Sequence, residues 1–139
     1  MTNAARVVVD ASALVAWACK ERGCDVVDRI LEYAVAPSSV IVESLYKCRE
    51  RGHGMSLAEL HDSFLVMGVK VEAVTDEDTV RSAELILQSR SSIAKQDQRT
   101  LSLGDGLCLA VAERLNLPVT GGDDHWASLD LAVKYLPFR

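Results

Sequence analysis

No Cys-x-x-C pair occurs among the four cysteines, Cys19, Cys24, Cys48 and Cys108. A zinc site or dithiol redox motif is therefore not supported, and the four read as reduced, small apolar residues. Long apolar runs are missing as well. The longest, Val7 to Cys19, is broken by Asp10 and Ser12 and is too short to span a bilayer. No charged region with a small-residue cleavage site precedes it, so a cytoplasmic protein with no membrane association is expected. Positive charge is scarce: 15 Lys and Arg face 20 Asp and Glu, a net charge of −5, which argues against a broad basic face that grips nucleic acid. Excess acid is compatible with phosphate chemistry only where carboxylates hold cations that supply the missing positive charge. Aromatic residues make up only 5% of the chain, so Trp17 and Trp126 are expected to pack in the core rather than stack on bases. Gly-x-Gly-x-x-Gly and His-Glu-x-x-His are absent, which removes the dinucleotide-binding and zinc-protease signatures.

What is present is enough for a core. With 139 residues, 49% of them hydrophobic and 25% charged, one domain spanning 1–139 is expected to fold without disulfides. Arg6-Val-Val-Val-Asp10 reads as a buried strand, followed by helical spacing over 13–20 and 24–34. Ala36-Pro37 suggests a brief second strand, and Ser38 or Ser39 opens a helix through about Arg51 that stops at Gly52-His-Gly54. Ser56-Leu-Ala-Glu59 matches a capping box for a helix to Met67, and Val69 to Val74 alternates like a half-exposed strand. A helix from Thr75-Asp-Glu-Asp78 to about Gln88 precedes a polar stretch, Ser89 to Thr100. That stretch reads as a surface loop whose Arg90, Lys95 and Arg99 are the best basic candidates for touching a nucleic acid. Ser102-Leu-Gly-Asp105 opens an apolar helix through Leu115. Leu117 to Thr120 is a short strand, Gly121-Gly-Asp-Asp124 leads into a short helix, and Val133 to Leu136 suggests an edge strand. Alternating strands and helices imply an α/β fold, a parallel sheet with helices on both faces. Apolar stripes on the helices at 13–20 and 56–67 serve either the core or a protein contact.

Four acids attract attention, and each has an ordinary explanation. Asp10 and Asp123 follow strands, at the rim where ligands of open α/β sheets collect, yet an Asp there also caps the next helix. Glu43 interrupts the greasy segment Val40-Ile-Val-Glu-Ser-Leu-Tyr46, where it is either a costly buried acid or a surface partner of Lys47 at i, i+4. Asp105 is explained by the Ser102 capping box alone. Ser12, Ser102 and Asp124 can join through oxygen or water, and Asp124 can replace Asp123. His53, His61 and His125 form no metal-binding spacing.

The joint pattern carries more than its parts. Val-Val-Val-Asp10-Ala-Ser12-Ala-Leu, Pro37 through Val42-Glu43, Leu101-Ser-Leu-Gly-Asp105 through Glu113 to Pro118-Val, and Gly122-Asp123-Asp-His-Trp126 resemble PIN domains. In length and wording they are most similar to the VapC-type toxins of toxin-antitoxin pairs. The resemblance runs from Val7 to Leu136 and is most specific from Ser102 to Trp126. It implies a three-layer α/β/α fold with a small, mostly parallel sheet. It also implies acidic ligands at Asp10, Glu43, Asp105 and Asp123 for Mg²⁺, with Mn²⁺ as substitute, and internal cleavage of RNA leaving a 5′-phosphate. The partners implied are an RNA substrate, an antitoxin and a second copy of the toxin. One position departs from the family: Thr or Ser usually stands two residues before the last acid, where this chain has Gly121, so Asp123 and Asp124 both remain candidates. A haloacid-dehalogenase-like phosphatase is disfavoured because Ser12 stands where its second acid belongs. A catalytically silent PIN-like module that binds RNA or protein is the alternative.

Overall fold

In the computed structural model, which describes residues 5–92 and 100–139, four strands form one sheet. Val7–Val9 is β1, Ala34–Pro37 β2, Lys70–Glu72 β3 and Val119–Thr120 β4. Their order is β3-β2-β1-β4, and every pairing is parallel, with Val8 opposite both Val35 and Val119. The helices are α1 (Ala11–Ala18), α2 (Cys24–Ile30), α3 (Ser38–Glu50), α4 (Leu57–Val66), α5 (Glu77–Ser92) and α6 (Leu103–Leu115). Right-handed crossovers from β1 to β2 to β3 place α1 to α4 on one face, and the return to β4 places α5 and α6 on the other. The packing agrees: α1 lies on α2 and α3, α3 on α4, and α5 on α6. Among the described residues, no helix is long and apolar enough to cross a membrane.

This order positions the site. The chain steps outward one way from β1 and returns on its other side, so the switch in direction falls between β1 and β4, where a crevice opens beyond the strand ends. Asp10 leaves β1 there and Asp123 follows β4. Beneath them the core is closed by Val8, Val9, Val35, Leu14, Leu109 and Trp126, all buried.

Several expectations are corrected. The helix expected over 24–34 ends at Ile30, and a 3₁₀ turn, Leu31–Tyr33, leads into β2. Ala34 pairs with Val7 in the sheet interior, and burial between two strands overrides the helical preference of alanine. Ser89 does not open a loop, because α5 runs on to Ser92; residues 93–99 of the expected loop lie outside those described. Ser89 is fully buried, accepting a hydrogen bond from Leu101 N at 2.9 Å and bonding His125 Nε2 at 3.0 Å. A satisfied hydroxyl can be buried, so polarity alone misplaced the boundary. Val133 to Leu136 makes a single parallel bridge, Val119 to Tyr135, and Pro137 lacks the N–H needed to extend a ladder. The stripe on α1 faces the core, with Ala13 to Ala16 buried, whereas α4 turns Leu60 and Phe64 inward and leaves Leu57, Leu65 and Val66 exposed. Trp126 is buried, and Trp17 packs on Phe64 at 5.9 Å between ring centroids while donating to Asp28.

Candidate metal centre

Asp10 is placed by two local effects. β1 is buried up to its last residue, and the Asp10 carboxylate caps α1 by accepting from Ser12 N at 3.3 Å. Ser12 Oγ donates to the same oxygen, Oδ2, at 2.9 Å and itself accepts from Gly122 N at 3.0 Å. One hydroxyl thus ties the end of β1 to the loop after β4. The other oxygen, Oδ1, is buried with no hydrogen-bond partner, in a residue only 6% exposed.

Asp105 belongs to the capping box at the start of α6: Ser102 Oγ accepts from Asp105 N, and Asp105 Oδ2 accepts from Ser102 N, each at 3.1 Å. The acid also benefits from the positive end of the helix dipole. Glu43 reaches this point from α3. Its Oε2 pairs with Lys47 Nζ at 2.6 Å, and its Oε1 leans over Gly104, where a Cβ would stand 2.5 Å away. Position 104 therefore has room for the carboxylate because it has no side chain. Asp123 caps the final 3₁₀ turn by accepting from His125 N at 2.9 Å, and its carbonyl accepts from the Tyr135 hydroxyl at 2.8 Å.

Electrostatics link all four. Burial, then the negative fields of Asp105 and Glu43, push the Asp10 carboxyl up to about 7 against the hydrogen bond from Ser12. Burial also raises Asp105, opposed by its bonds to Ser102 and reinforced by Glu43 and Asp123. Burial works against the Lys47 ammonium, but the hydrogen bond and charge of Glu43, with the field of Asp10, outweigh it and raise the Lys47 pKa.

The acids stand in one another's field without forming a finished cage: among the described residues, no three His, Cys, Asp or Glu side chains are gathered as a metal cluster. The donor chemistry nevertheless fits a hard divalent cation. The four carboxylates come from four separate segments, one buried oxygen has no partner, and burial, reinforced by neighbouring carboxylates, raises two of the acids. Such sites suit Mg²⁺ or Mn²⁺ better than zinc.

The ordinary and functional readings therefore coexist. Asp10, Asp105 and Asp123 all cap, and Glu43 pairs with Lys47, yet the charges of the same four acids act on one another through Asp105. Asp124 is exposed, and Asp123 is the one whose charge reaches Asp105. Ser12 and Ser102 each hold one acid. Arg90 is exposed near the end of α5, and Lys95 and Arg99 lie outside the described residues. Sequence reasoning missed Gly104 and Tyr135. The glycine could have been noticed as an unfavourable helix residue at the first turn of α6, whereas nothing local marks Tyr135.

Comparison with known proteins agrees with this fold. The PIN domain family matches residues 7–131. Mycobacterium tuberculosis VapC20, described as a sarcin-ricin loop cleaving toxin, has a similar structure with a TM-score of 0.60 and 20% identity over 88% of this chain and 94% of that one. VapBC2 of Rickettsia felis, bound to a DNA fragment from its promoter, gives 0.69 and 13% identity over 94% and 97%. VapBC-5 of M. tuberculosis gives 0.54 and 22% over 98% and 99%. No curated protein sequence matches. With the family matched over a range that spans all four strands and contains the four acids, the chain belongs to the PIN-domain family.

Proposed function

We propose that this chain is a divalent-metal-dependent endoribonuclease, acting as one domain in the cytoplasm as the toxin of a toxin-antitoxin pair. The observation that carries the reading is the electrostatic linkage of Asp10, Glu43 and Asp123 through Asp105 near the switch point of the sheet, with Asp10 Oδ1 buried and unpartnered. Family membership supports nuclease chemistry. The similar structures described as a toxin, a toxin-antitoxin complex or a member of a toxin-antitoxin family support an antitoxin partner, and pairing of two copies is part of the proposal.

In this reading the four carboxylates hold Mg²⁺, or Mn²⁺ in its place. A bound ion of this kind supplies a water of lowered pKa and neutralises charge on the phosphate. The protein's own contribution is orientation. Ser12 fixes one Asp10 oxygen and leaves the other without a hydrogen-bond partner, Ser102 fixes Asp105 at a helix N-terminus, and Gly104 leaves room for Glu43. Asp10 holds a proton near neutral pH until a cation displaces it.

The test is incubation of a mixed cellular RNA pool with antitoxin-free protein and Mg²⁺ or Mn²⁺, beside EDTA and Asp10→Asn controls. Discrete cuts that vanish in both controls are expected. RNA retained uncut by folded, metal-loaded protein would replace this reading with that of a silent binding module.

A further inference from the structure

A cleft of about 520 Å³ opens between α3 and the start of α6, with Glu43 on its wall. Glu43, Lys47, Ser39 and Ser102 contribute polar groups to its wall, beside exposed apolar side chains such as Val42 and Leu103. Lys47 is the one cation among the described residues lining it. We infer that Lys47 is a substrate-contacting residue, which takes a phosphate of the RNA backbone next to the scissile bond. The inference rests on the nuclease reading above.

Three observations carry it. First, the Lys47 side chain is 40% exposed while its partner Glu43 is 15% exposed, so the ammonium stands on the open side of the carboxylate, facing the cleft. An i, i+4 pair that served helix stability alone would contribute only slightly and would need no cleft. Second, the chain carries a net charge of −5, and several of its other cations are committed to holding elements together. Arg81 pairs with Glu113, Arg114 with Asp78 and Glu72, and Arg51 with Glu21. A polyanion entering an acidic crevice needs positive charge at its edge as well as at its centre. Third, Lys47 Nζ lies 2.6 Å from Glu43 Oε2, one of the carboxylates assigned to the metal. A carboxylate shared with a divalent cation holds an ammonium less strongly, and a phosphate oxygen is then the natural partner of Lys47. Lysine suits this role because its flexible stem carries a compact charge with three donors.

The experiment uses the full chain as wild type, Lys47→Met and Lys47→Arg, each first checked for an intact melting transition. Retention of a labelled cellular RNA pool is measured with Ca²⁺ replacing Mg²⁺ to slow cleavage, from 50 to 200 mM KCl on the order used for salt slopes. Mn²⁺ affinity is measured separately without RNA. Lys47→Met is expected to weaken RNA retention roughly 10-fold and to flatten the salt slope by about one, with Mn²⁺ bound as tightly as by wild type or tighter. Lys47→Arg, keeping the charge, is expected to stay within about 2-fold of wild type in RNA retention. Unchanged RNA retention in Lys47→Met would overturn the inference. So would parallel loss of Mn²⁺ and RNA binding, which would make Lys47 a prop for Glu43. Wild type that binds Mn²⁺ but no RNA likewise overturns it. Failure of the underlying nuclease reading looks different: wild type then retains RNA uncut when Mg²⁺ replaces Ca²⁺, or binds neither Mn²⁺ nor RNA. Should Lys47→Met not melt cooperatively, Lys47→Gln undergoes the same measurements with the same two-way outcome.

Discussion

Asparagine at position 10 should abolish metal binding and at the same time stabilise the metal-free protein at alkaline pH. The Asp10 carboxyl is raised from 3.8 to about 7, so the folded state holds its proton more tightly than the unfolded chain does. The stabilising contribution of that proton is complete below pH 3.8 and is lost as pH rises through about 7. At about 1.4 kcal/mol for each pH unit, ionised Asp10 costs the metal-free fold on the order of 4 kcal/mol at pH 8. Asparagine is neutral and caps a helix as well as aspartate does, so Asp10→Asn removes the cost and keeps the cap. In a chain of this size that is a rise in Tm on the order of 10 °C. The assay is thermal unfolding of both proteins in EDTA from pH 4 to 8. The gap should be smallest at pH 4, widen through pH 7 and invert when saturating Mn²⁺ is added, because only wild type gains from the ion. A gap that stays constant with pH, or a variant less stable than wild type at pH 8, would refute the claim that burial and neighbouring carboxylates strain Asp10.

Other residues give separate tests. Gly104→Ala sets a Cβ against Glu43 Oε1 and should weaken Mn²⁺ binding about 10-fold or more, because displaced supporting groups cost metal sites that much, with little loss of Tm; calorimetric titration and melting read both. Ser102→Ala removes one half of the α6 capping box and should cost about 1 kcal/mol in urea unfolding. Tyr135→Phe loses the hydrogen bond to the Asp123 carbonyl while keeping the ring contact with Trp126. It should cost about 1 kcal/mol of stability and lower kcat more than it raises KM in RNA cleavage. Phe64→Ala empties a fully buried site beneath α4 and should cost about 3–5 kcal/mol, seen as a lower urea midpoint.

Local signals made much of this legible. Capping boxes at Ser56 and Ser102 are written in four consecutive residues, and both form. The run Val7 to Val9 is hydrophobic enough to be a central strand, and the acid after it must then lie at the rim. What the sequence hid depends on contacts between distant segments. Ser12 meets Gly122 across 110 positions, and Glu43 finds Gly104 only because α3 and α6 approach each other. Glu43 also showed two faces at once, since the pairing with Lys47 and the proximity to the acids use different oxygens. Ser89 misled for a physical reason: its polarity suggested solvent, yet its hydroxyl is satisfied inside the protein. The choice between Asp123 and Asp124 was open in the sequence because both follow the same turn. In the fold Asp123 points its charge toward Asp105 while Asp124 lies exposed.

Anomalous diffraction at the manganese edge, from crystals soaked in Mn²⁺, tests the central claim most directly. The account predicts a peak bounded by Asp10, Glu43, Asp105 and Asp123, with Asp10 Oδ1 as a ligand, and no peak there in Asp10→Asn crystals. A peak held by Asp124 without Asp10, or none between the four acids at saturating Mn²⁺, would contradict it.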